Sequence, residues 1–389
     1  MSPQFTTAAN REIRAITEQC VMCGLCLPHC PSYRVAQQEA ESPRGRLALM
    51  ARMASEELAG AGQPTLDTCL ACGSCEQVCP PGVPLVRALM LTRTIYASAT
   101  ETILGRVGRR LARQPRVSQV LLRSLVAARS LLPRPWRRRM NLDGLARLNC
   151  GQGGRASRMA AAGLIEGGES LILAGCAGET LEVGAIAALL RIADRLQLPL
   201  RIEQQGCCGA LAAHLGQARP AYIPDTGEAQ AVVAINSGCT AQWRQHLAPR
   251  EVTPIAQWLQ QRLAAAASLL VKRTARVGIH LPCSQRTLAG ETVALRQLLA
   301  MLPGVDCVSL PAQPTCCGAA GTYFLNQPEI SQRLADEMAC AIAGLGVDIV
   351  VSSNGGCRAQ IGQALHEIGS QVRVLHPAEL VALHLAAGG

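Results

Sequence analysis

Eight of the nineteen cysteines in this 389-residue sequence stand in two short runs near the N-terminus. Both runs have the spacing C-x2-C-x2-C-x3-C, and a proline follows each of them. The first run is Cys20, Cys23, Cys26 and Cys30, and the second is Cys69, Cys72, Cys75 and Cys79. Gaps of two residues let three sulfurs surround one face of an iron–sulfur cube, and the fourth cysteine follows a turn. The spacing therefore predicts two [4Fe–4S] clusters.

The fourth cysteine of each run decides how the eight ligands are divided. In bacterial ferredoxins with two clusters, that cysteine binds the cluster of the other run. The sequence thus predicts one cluster on Cys20, Cys23, Cys26 and Cys79, and another on Cys69, Cys72, Cys75 and Cys30. Zinc or disulfide bonds are the alternative. Zinc sites usually combine two neighbouring ligands with two distant ones, which four cysteines within eleven residues do not fit.

Two pairs of adjacent cysteines, each followed by glycine, mark the C-terminal part of the chain. One further cysteine stands before each pair and one after it. The resulting first quartet is Cys176, Cys207, Cys208 and Cys239, and the second quartet is Cys283, Cys316, Cys317 and Cys357. Glycine beside a pair allows close backbone approach or a positive φ. The quartets indicate one or two further iron–sulfur centres, or alternatively a zinc site together with buried apolar cysteines.

The quartets belong to an internal repeat. Equivalent cysteines are offset by 107, 109 and 118 residues, which is typical of two duplicated domains. Short apolar runs alternate with helical patterns in both repeats, and this indicates parallel sheets with helices on both faces. Strands are predicted at 170–174, 200–203, 275–280, 305–310 and 347–352, and helices at 181–196, 291–302 and 328–345. The cysteines follow strands, in loops where such folds hold their sites.

The predicted fold class is α/β, with a small α-rich ferredoxin-like N-terminal domain and two duplicated α/β cysteine-rich domains. The predicted divisions are a two-cluster domain at 1–100, a basic amphipathic helical linker at 101–160, and cysteine-rich domains at 161–265 and 266–389. Only 30 residues separate the last two cysteines of the first quartet, against 39 in the second, so we expect the first repeat to lack a helix. Cys150, Cys307 and Cys340 have no counterpart in the repeat and are predicted to be small buried apolar residues.

The linker is strongly basic. Eleven arginines and one acid stand between residues 101 and 140, and leucines and valines recur among them near helical spacing. Pro115 is expected to kink or divide the helix, and Pro133 and Pro135 to end it. Such a segment fits an anionic membrane surface or an acidic partner subunit. It also fits a solvated linker helix.

The remaining composition excludes several classes of function. The net charge is +10, but aromatic residues make up only 2% of the chain, too few for the stacking platforms that bind single-stranded nucleic acid. We find no secretory signal and no apolar run of membrane-spanning length, so we expect a cytoplasmic protein, either free or peripheral on the inner face of the membrane. Dinucleotide-binding and P-loop motifs are missing. A chain with clusters and no hydride acceptor handles single electrons, and two-electron chemistry would require a flavin on another polypeptide.

The motifs resemble those of the iron–sulfur subunits of bacterial glycolate oxidase. The resemblance rests on the two ferredoxin-type runs, "SPRGR" at Ser42–Arg46, "CCGAAGTY" at Cys316–Tyr323 and "NGGC" at Asn354–Cys357. It implies an electron-transfer subunit, with no substrate oxidation by this chain alone. A partner subunit with FAD would oxidise glycolate to glyoxylate, and the clusters would pass electrons towards membrane quinone. "SPRGR" itself has two interpretations, a positive charge that raises the potential of a nearby cluster or a solvated helix start.

Related subunits share these motifs and leave the substrate open. They serve lactate utilisation, anaerobic glycerol-3-phosphate oxidation and heterodisulfide reduction, so a lactate or glycerol-3-phosphate dehydrogenase subunit or a thiol–disulfide redox subunit is the alternative. The full cysteine-rich signature ends in C-x2-C, but neither Cys239 nor Cys357 is followed by that second cysteine. Each quartet therefore has four cysteines rather than five, unlike the heterodisulfide-reductase type of centre.

Overall fold

The computed structural model describes residues 3–55, 57–58, 62–96, 102–112, 115–148, 170–176, 178–203, 206–216, 223–312 and 316–386. Contacts divide the chain into two units. The helical unit comprises Met1–Arg109, Gly209–Arg219 and Gly318–Leu334. The sheet unit comprises Arg110–Cys208, Pro220–Cys317 and Ala335–Gly389. The fourfold division of the chain made from the sequence stays a prediction.

The described residues up to 148 form helices and contain no strand. These helices are α1 (Pro3–Thr17), α2 (Pro31–Ala36), α3 (Pro43–Ala54), α4 (Gln63–Asp67), α5 (Ser74–Gln77), α6 (Leu85–Ile95), α7 (Ile103–Ala112), α8 (Pro115–Ala127), α9 (Arg134–Arg139) and α10 (Leu142–Leu148). The α-rich character predicted for the N-terminal domain is confirmed.

Strands and helices alternate through the rest of the chain. The first repeat contains β1 (Ser170–Leu173), α11 (Gly178–Leu181), α12 (Val183–Leu196), β2 (Leu200–Glu203), α13 (Ala210–Ala213), β3 (Ala231–Ala234), α14 (Ser237–Leu247), β4 (Val252–Pro254) and α15 (Ile255–Ala264). The second contains β5 (Ala275–Ile279), a π-helix at Ser284–Leu288, α16 (Ala294–Ala300), β6 (Val305–Ser309), α17 (Tyr323–Asn326), α18 (Pro328–Ala343), β7 (Ile349–Val351), α19 (Gly355–Glu367), β8 (Arg373–Leu375) and α20 (Pro377–Leu383).

The helical unit has its own apolar core. Helices α1, α3 and α6 contribute Ile13, Met50, Met53 and Leu89, all of which are fully buried, and the thiols of Cys20, Cys69, Cys75 and Cys79 pack against this core. Helix α3 begins at Ser42, whose hydroxyl accepts a hydrogen bond from the Gly45 amide at 2.9 Å. This N-cap and the proline that follows it fix where the helix starts. The core thus supports the loops that carry both cysteine runs.

The sheet unit contains two parallel four-stranded sheets with the same topology. Their strand orders are β2-β1-β3-β4 and β6-β5-β7-β8. In the first sheet Ser170 is in register with both Leu200 and Ala231, and in the second Val277 is in register with both Cys307 and Ile349. The equal orders confirm two duplicated α/β domains.

One apolar core serves both sheets. It contains Ile172 and Val233 from the first sheet, Val277 and Val351 from the second, and Trp258 from α15. The indole of Trp258 donates a hydrogen bond to the Ser170 hydroxyl at 3.1 Å, which satisfies its buried N–H. The shared core holds the loops of both repeats within one unit.

Four details differ from the sequence-based expectations or lie beyond the described residues. Cys307 and Cys340 are exposed rather than buried, because Cys307 lies on the edge strand β6 and Cys340 on the outer face of α18. Helix α8 ends at Ala127, and Pro135 stands in the first turn of α9. The two prolines therefore mark a helix start rather than an end. Cys150 lies outside the described residues, as do 217–222, so the helix missing from the first repeat stays a prediction.

Candidate iron–sulfur sites

The two N-terminal cysteine runs have left-handed residues at the same two positions. Positive φ angles occur two and four residues after the first cysteine of each run, at Met22 and Gly24 and again at Ala71 and Gly73. Left-handed residues of this kind turn the chain sharply. The chain therefore turns sharply at equivalent points between the first and third cysteines of both runs.

The first pocket is partly open to solvent and lies mainly against the first run. Three of its cysteines come from that run and two from the second, namely Cys20, Cys23, Cys26, Cys75 and Cys79. The rest of the wall is mainly apolar, with Leu47 and Val83. A set of thiols in an apolar wall has the donor chemistry that an iron–sulfur cluster requires.

The second pocket has the complementary set of cysteines. Its thiols are Cys30 of the first run and Cys69, Cys72 and Cys75 of the second. Cys75 lines both pockets. The structure thus brings together the two ligand sets expected from the sequence. The binding of iron by these residues is a proposal, argued below.

Burial raises the pKa values of two thiols in the second pocket, those of Cys72 and Cys75. Burial is the main cause of a pKa of about 11 for Cys72, with smaller contributions from the neighbouring thiols of Cys30 and Cys69. The pKa of Cys75 is raised as well, again mainly by burial. Cluster irons bind thiolates, so loading this pocket must release protons.

The "SPRGR" segment starts a helix and places an arginine at the second pocket. Ser42 and Pro43 begin helix α3. Arg44 is partly exposed, forms an ion pair with Glu39, and donates to the Met22 carbonyl of the first run at 3.1 Å. Arg46 is buried and lines the second pocket. The helix start and the positive charge near a pocket are therefore carried by different residues of one segment.

A second buried arginine had no signal in the sequence. Arg93 on α6 is 5% exposed and donates to the carbonyls of Leu66 and Cys69 at 2.7 and 2.9 Å, and to that of His214 at 2.8 Å. The Tyr323 hydroxyl donates to the neighbouring Thr68 carbonyl at 2.8 Å. Both side chains hold the backbone where Cys69 enters the second pocket. The contacting residues are 24 to 255 positions apart in the sequence, so no local pattern predicts these contacts.

The first quartet converges at the carboxyl ends of three neighbouring strands. Cys176 follows β1, the Cys207–Cys208 pair follows β2, and Cys239 follows β3. A thiol–thiol hydrogen bond with Cys207 and burial raise the pKa of Cys176 well above the ordinary value, and a bond with Cys208 and burial do so for Cys239. Parallel strands end at one edge of their sheet, which explains why distant cysteines meet here.

The second quartet has the same construction. Cys283, the Cys316–Cys317 pair and Cys357 follow β5, β6 and β7. The sulfurs of Cys317 and Cys357 lie 2.9 Å apart, and the hydrogen bond between them, with burial, raises the pKa of Cys357. Cys283 and Cys316 also contribute to this shift. All four thiols therefore interact, as in the first quartet.

Each quartet also includes a helix N-terminus. Cys239 and Cys357 are the third residues of α14 and α19, and the asparagines before these helices, Asn236 and Asn354, cap the first turns with their side chains. The positive end of a helix favours thiolates and anionic clusters. Among the described residues, no group of three or more His, Cys, Asp or Glu side chains has the spacing to hold a single metal ion.

Comparison with known proteins agrees with this class of site. Residues 16–83 match the family model of a 4Fe–4S dicluster domain, and residues 277–362 match that of a cysteine-rich domain. Together with the cysteine motifs and the fold, these matches define an iron–sulfur protein of the electron-transfer class. None of the described helices has the length and hydropathy required of a membrane-spanning segment.

Two particular relatives are similar over nearly the whole chain, and a third over about half of it. The sequence is 28% identical to the glycolate oxidase iron–sulfur subunit of Escherichia coli, covering 94% of this chain and 95% of that one. It is 26% identical to the probable glycolate oxidase iron–sulfur subunit of Bacillus subtilis, over 93% and 92%. Lactate utilization protein A of Halalkalibacterium halodurans is 28% identical over 46% of this chain and 82% of that one. The resemblance seen in the motifs thus extends to both repeats.

Proposed function

We propose that the chain is the iron–sulfur electron-transfer subunit of a flavin-dependent dehydrogenase complex that oxidises glycolate, a 2-hydroxy acid. The observation that carries the proposal is the pair of pockets, each of which combines thiols of both cysteine runs and shares Cys75 with the other. Similarity to glycolate oxidase iron–sulfur subunits over 94% of the chain favours glycolate. Similarity to a lactate utilization protein keeps lactate as the alternative substrate.

When bound, two [4Fe–4S] clusters supply one-electron carriage between FAD on a partner subunit and a quinone-class acceptor. The residues of this chain hold and shield them. Cys20, Cys23, Cys26 and Cys79 would hold one cluster, and Cys69, Cys72, Cys75 and Cys30 the other. Apolar side chains such as Leu47 and Leu85 line the pockets and limit the access of water.

The complex itself gives the most direct test. We expect glycolate-dependent reduction of a quinone analogue by this chain together with its flavin-containing partner, and no oxidation of glycolate by this chain alone. Both mixtures are assayed anaerobically with D-lactate and glycerol 3-phosphate as competing substrates. Turnover of glycolate by the isolated chain would contradict the proposal. Reduction of a disulfide by the isolated chain with an artificial electron donor would instead favour a thiol–disulfide redox subunit.

The quartets are proposed as sites for one or two further iron–sulfur clusters. Support comes from four interacting thiols in each quartet and from the helix N-terminus beside them. Two [4Fe–4S] clusters account for about eight irons per chain, so about twelve or sixteen are expected if one or both quartets are loaded.

Iron and sulfide analysis of the anaerobically purified protein measures this directly. Cys357→Ala should lower the iron content, and so should Cys239→Ala if the first quartet is loaded. Cys307→Ala and Cys340→Ala are matched controls, because these two thiols are exposed and belong to neither quartet. About eight irons in the wild-type protein would leave the quartets without clusters. Stoichiometric zinc would favour the alternative of a zinc site in the quartets.

A cytoplasmic location, peripheral on a membrane, is proposed from the surface of the linker. Val120 and Leu131 are 65% and 84% exposed, and Trp136 is 50% exposed. Exposed apolar residues beside arginines suit the interface of an anionic bilayer. Only part of the basic charge is available for lipids, because Arg138 forms ion pairs with Asp336 and Glu367 at 2.6 and 2.9 Å.

Vesicle sedimentation tests this location. The combined change Val120→Ser and Leu131→Ser should weaken binding to vesicles with anionic lipid by about tenfold or more, since two apolar contacts are lost. Ile368→Ser is the matched control, an exposed apolar residue of the same unit outside the linker. Equal binding by all three proteins would rule out this surface as the membrane contact.

A further inference from the structure

Arg46 is the charged residue most firmly fixed at the second pocket. Its side chain is 1% exposed, and Nη1 lies 3.6 Å from the Cys30 sulfur. Nη2 donates to the Thr68 hydroxyl at 2.8 Å and to a Glu41 carboxylate oxygen at 2.5 Å, and Nε donates to the Thr65 carbonyl at 3.5 Å. Every nitrogen of the guanidinium therefore has a partner, and the group cannot turn away from Cys30.

A cation in this position acts on the reduced form of a cluster. Reduction adds one negative charge to the cluster, and hydrogen bonds and positive charge at the ligand sulfurs stabilise that charge. Burial acts in the opposite direction, since a low dielectric disfavours added charge. Cys30 and Cys72 are only 7% and 8% exposed, so a cation beside them opposes the effect of burial on the potential.

Among the described residues, no buried arginine like Arg46 lines the first pocket. Its nearest arginine, Arg44, has a side chain that is 29% exposed, and its partner Glu39 is 53% exposed. Water and salt screen an exposed ion pair strongly and a buried one much less. The two pockets thus differ in burial and in the strength of the charge beside them.

Glu41 opposes Arg46. Its carboxylate is 12% exposed and accepts hydrogen bonds from Arg46 and from the Thr68 hydroxyl. Thr68 directly precedes Cys69, a thiol of the same pocket. The buried charge beside the second pocket is therefore an ion pair, in which each partner should move a cluster potential in its own direction.

We propose that Arg46 raises the reduction potential of the cluster in the second pocket and that Glu41 limits the rise. Arg46 and Glu41 are then positioning residues that tune the reduction potential of this cluster. That potential governs how readily the cluster accepts one electron from the flavin partner and passes it on to the quinone-class acceptor. The inference rests on the proposed cluster sites and goes beyond them, because it assigns a potential to one pocket.

Redox titration of the holoprotein, followed by EPR, tests the pair. Arg46→Gln should lower the potential of one cluster, and Glu41→Gln should raise the potential of that same cluster. Arg46→Lys should preserve most of the potential, and Arg44→Gln should leave the second cluster unchanged. The affected cluster is identified as the one whose signal is lost in Cys30→Ala. A structural disturbance would not produce shifts of opposite sign at one cluster.

Each outcome decides the proposal. Iron analysis accompanies every titration, so wild-type protein without clusters contradicts the proposed function rather than this inference. If Arg46→Gln fails to load the second pocket, Glu41→Gln decides alone: a raised potential supports the inference, and an unchanged or lowered one overturns it. A loaded Arg46→Gln protein with unchanged potentials overturns it as well.

Discussion

Replacement of Arg358 by alanine is expected to lower the free energy of unfolding of the sheet unit by about 3–5 kcal/mol, the usual cost of removing one partner of a buried ion pair. Arg358 is 1% exposed and forms ion pairs with Glu182, which is fully buried, and with Glu379. It also donates to the Leu181 carbonyl at 3.0 Å. Without the guanidinium, the Glu182 charge would be left inside the protein with only neutral donors.

Glu182 joins the two repeats at the helices that carry the quartets. It accepts a hydrogen bond from the Asn236 side chain at 2.7 Å and another from the Gly355 amide. Asn236 caps α14, and Gly355 is the first residue of α19. Loss of Arg358 should therefore loosen the helix starts at Cys239 and Cys357 together.

The loss of stability should depend on pH. Burial raises the pKa of Glu182 to about 7, even though Arg358 acts to lower it. Because this folded-state pKa lies above the unfolded value of about 4.5, ionisation of Glu182 destabilises the fold as pH rises from about 4.5 through 7. Removing Arg358 raises the pKa further, so the difference between variant and wild type should be larger at pH 8 than at pH 5.

Tryptophan fluorescence during urea unfolding provides the measurement. All three tryptophans, Trp136, Trp243 and Trp258, belong to the sheet unit, so the signal reports on that unit. Arg276→Ala is the matched control, because its ion pair with Asp306 is exposed and should be worth about 0–1 kcal/mol. The proposed role of the Arg358–Glu182 ion pair would be refuted if Arg358→Ala lowered the free energy of unfolding no more than Arg276→Ala does. It would also be refuted if the loss were equal at both pH values.

The cysteine spacing allowed the site to be predicted to the extent that local geometry determines it. The runs of Cys20 and Cys69 curl in the same way because their left-handed residues recur at the same positions. The quartets meet because neighbouring parallel strands end at one edge. A local sequence pattern predicts which cysteines lie together in the runs, and a general rule of sheet geometry does so for the quartets. Neither prediction requires knowledge of a particular long-range contact.

The charged groups around the sites could not be predicted in this way. Arg93 reaches the Cys69 carbonyl from helix α6, and Glu182 meets Arg358 across 176 residues of sequence. Such pairs depend on tertiary packing, for which a single sequence has no periodic signal. The exposure of Cys307 and Cys340 was missed for the same reason, since apolar character alone does not tell which face of an element is covered.

The crossed division of ligands proposed for the two pockets predicts which cysteine changes act on the same cluster. Cys30→Ala should abolish the cluster held by Cys69, Cys72 and Cys75, and Cys79→Ala should abolish the one held by Cys20, Cys23 and Cys26. Each change should remove about four of the eight irons assigned to these pockets. The magnetic coupling between two reduced clusters should then give way to the EPR signal of one isolated cluster.

Double variants make the test independent of how completely a single substitution empties a pocket. Cys23→Ala with Cys79→Ala alters one pocket twice and should leave the second cluster intact, whereas Cys23→Ala with Cys30→Ala alters both pockets and should remove both clusters. If each run bound its own cluster, these two results would be exchanged. Cys340→Ala controls for the loss of an exposed thiol. Since Cys75 lines both pockets, the proposed crossed arrangement would place the two clusters close together, as rapid exchange of single electrons requires.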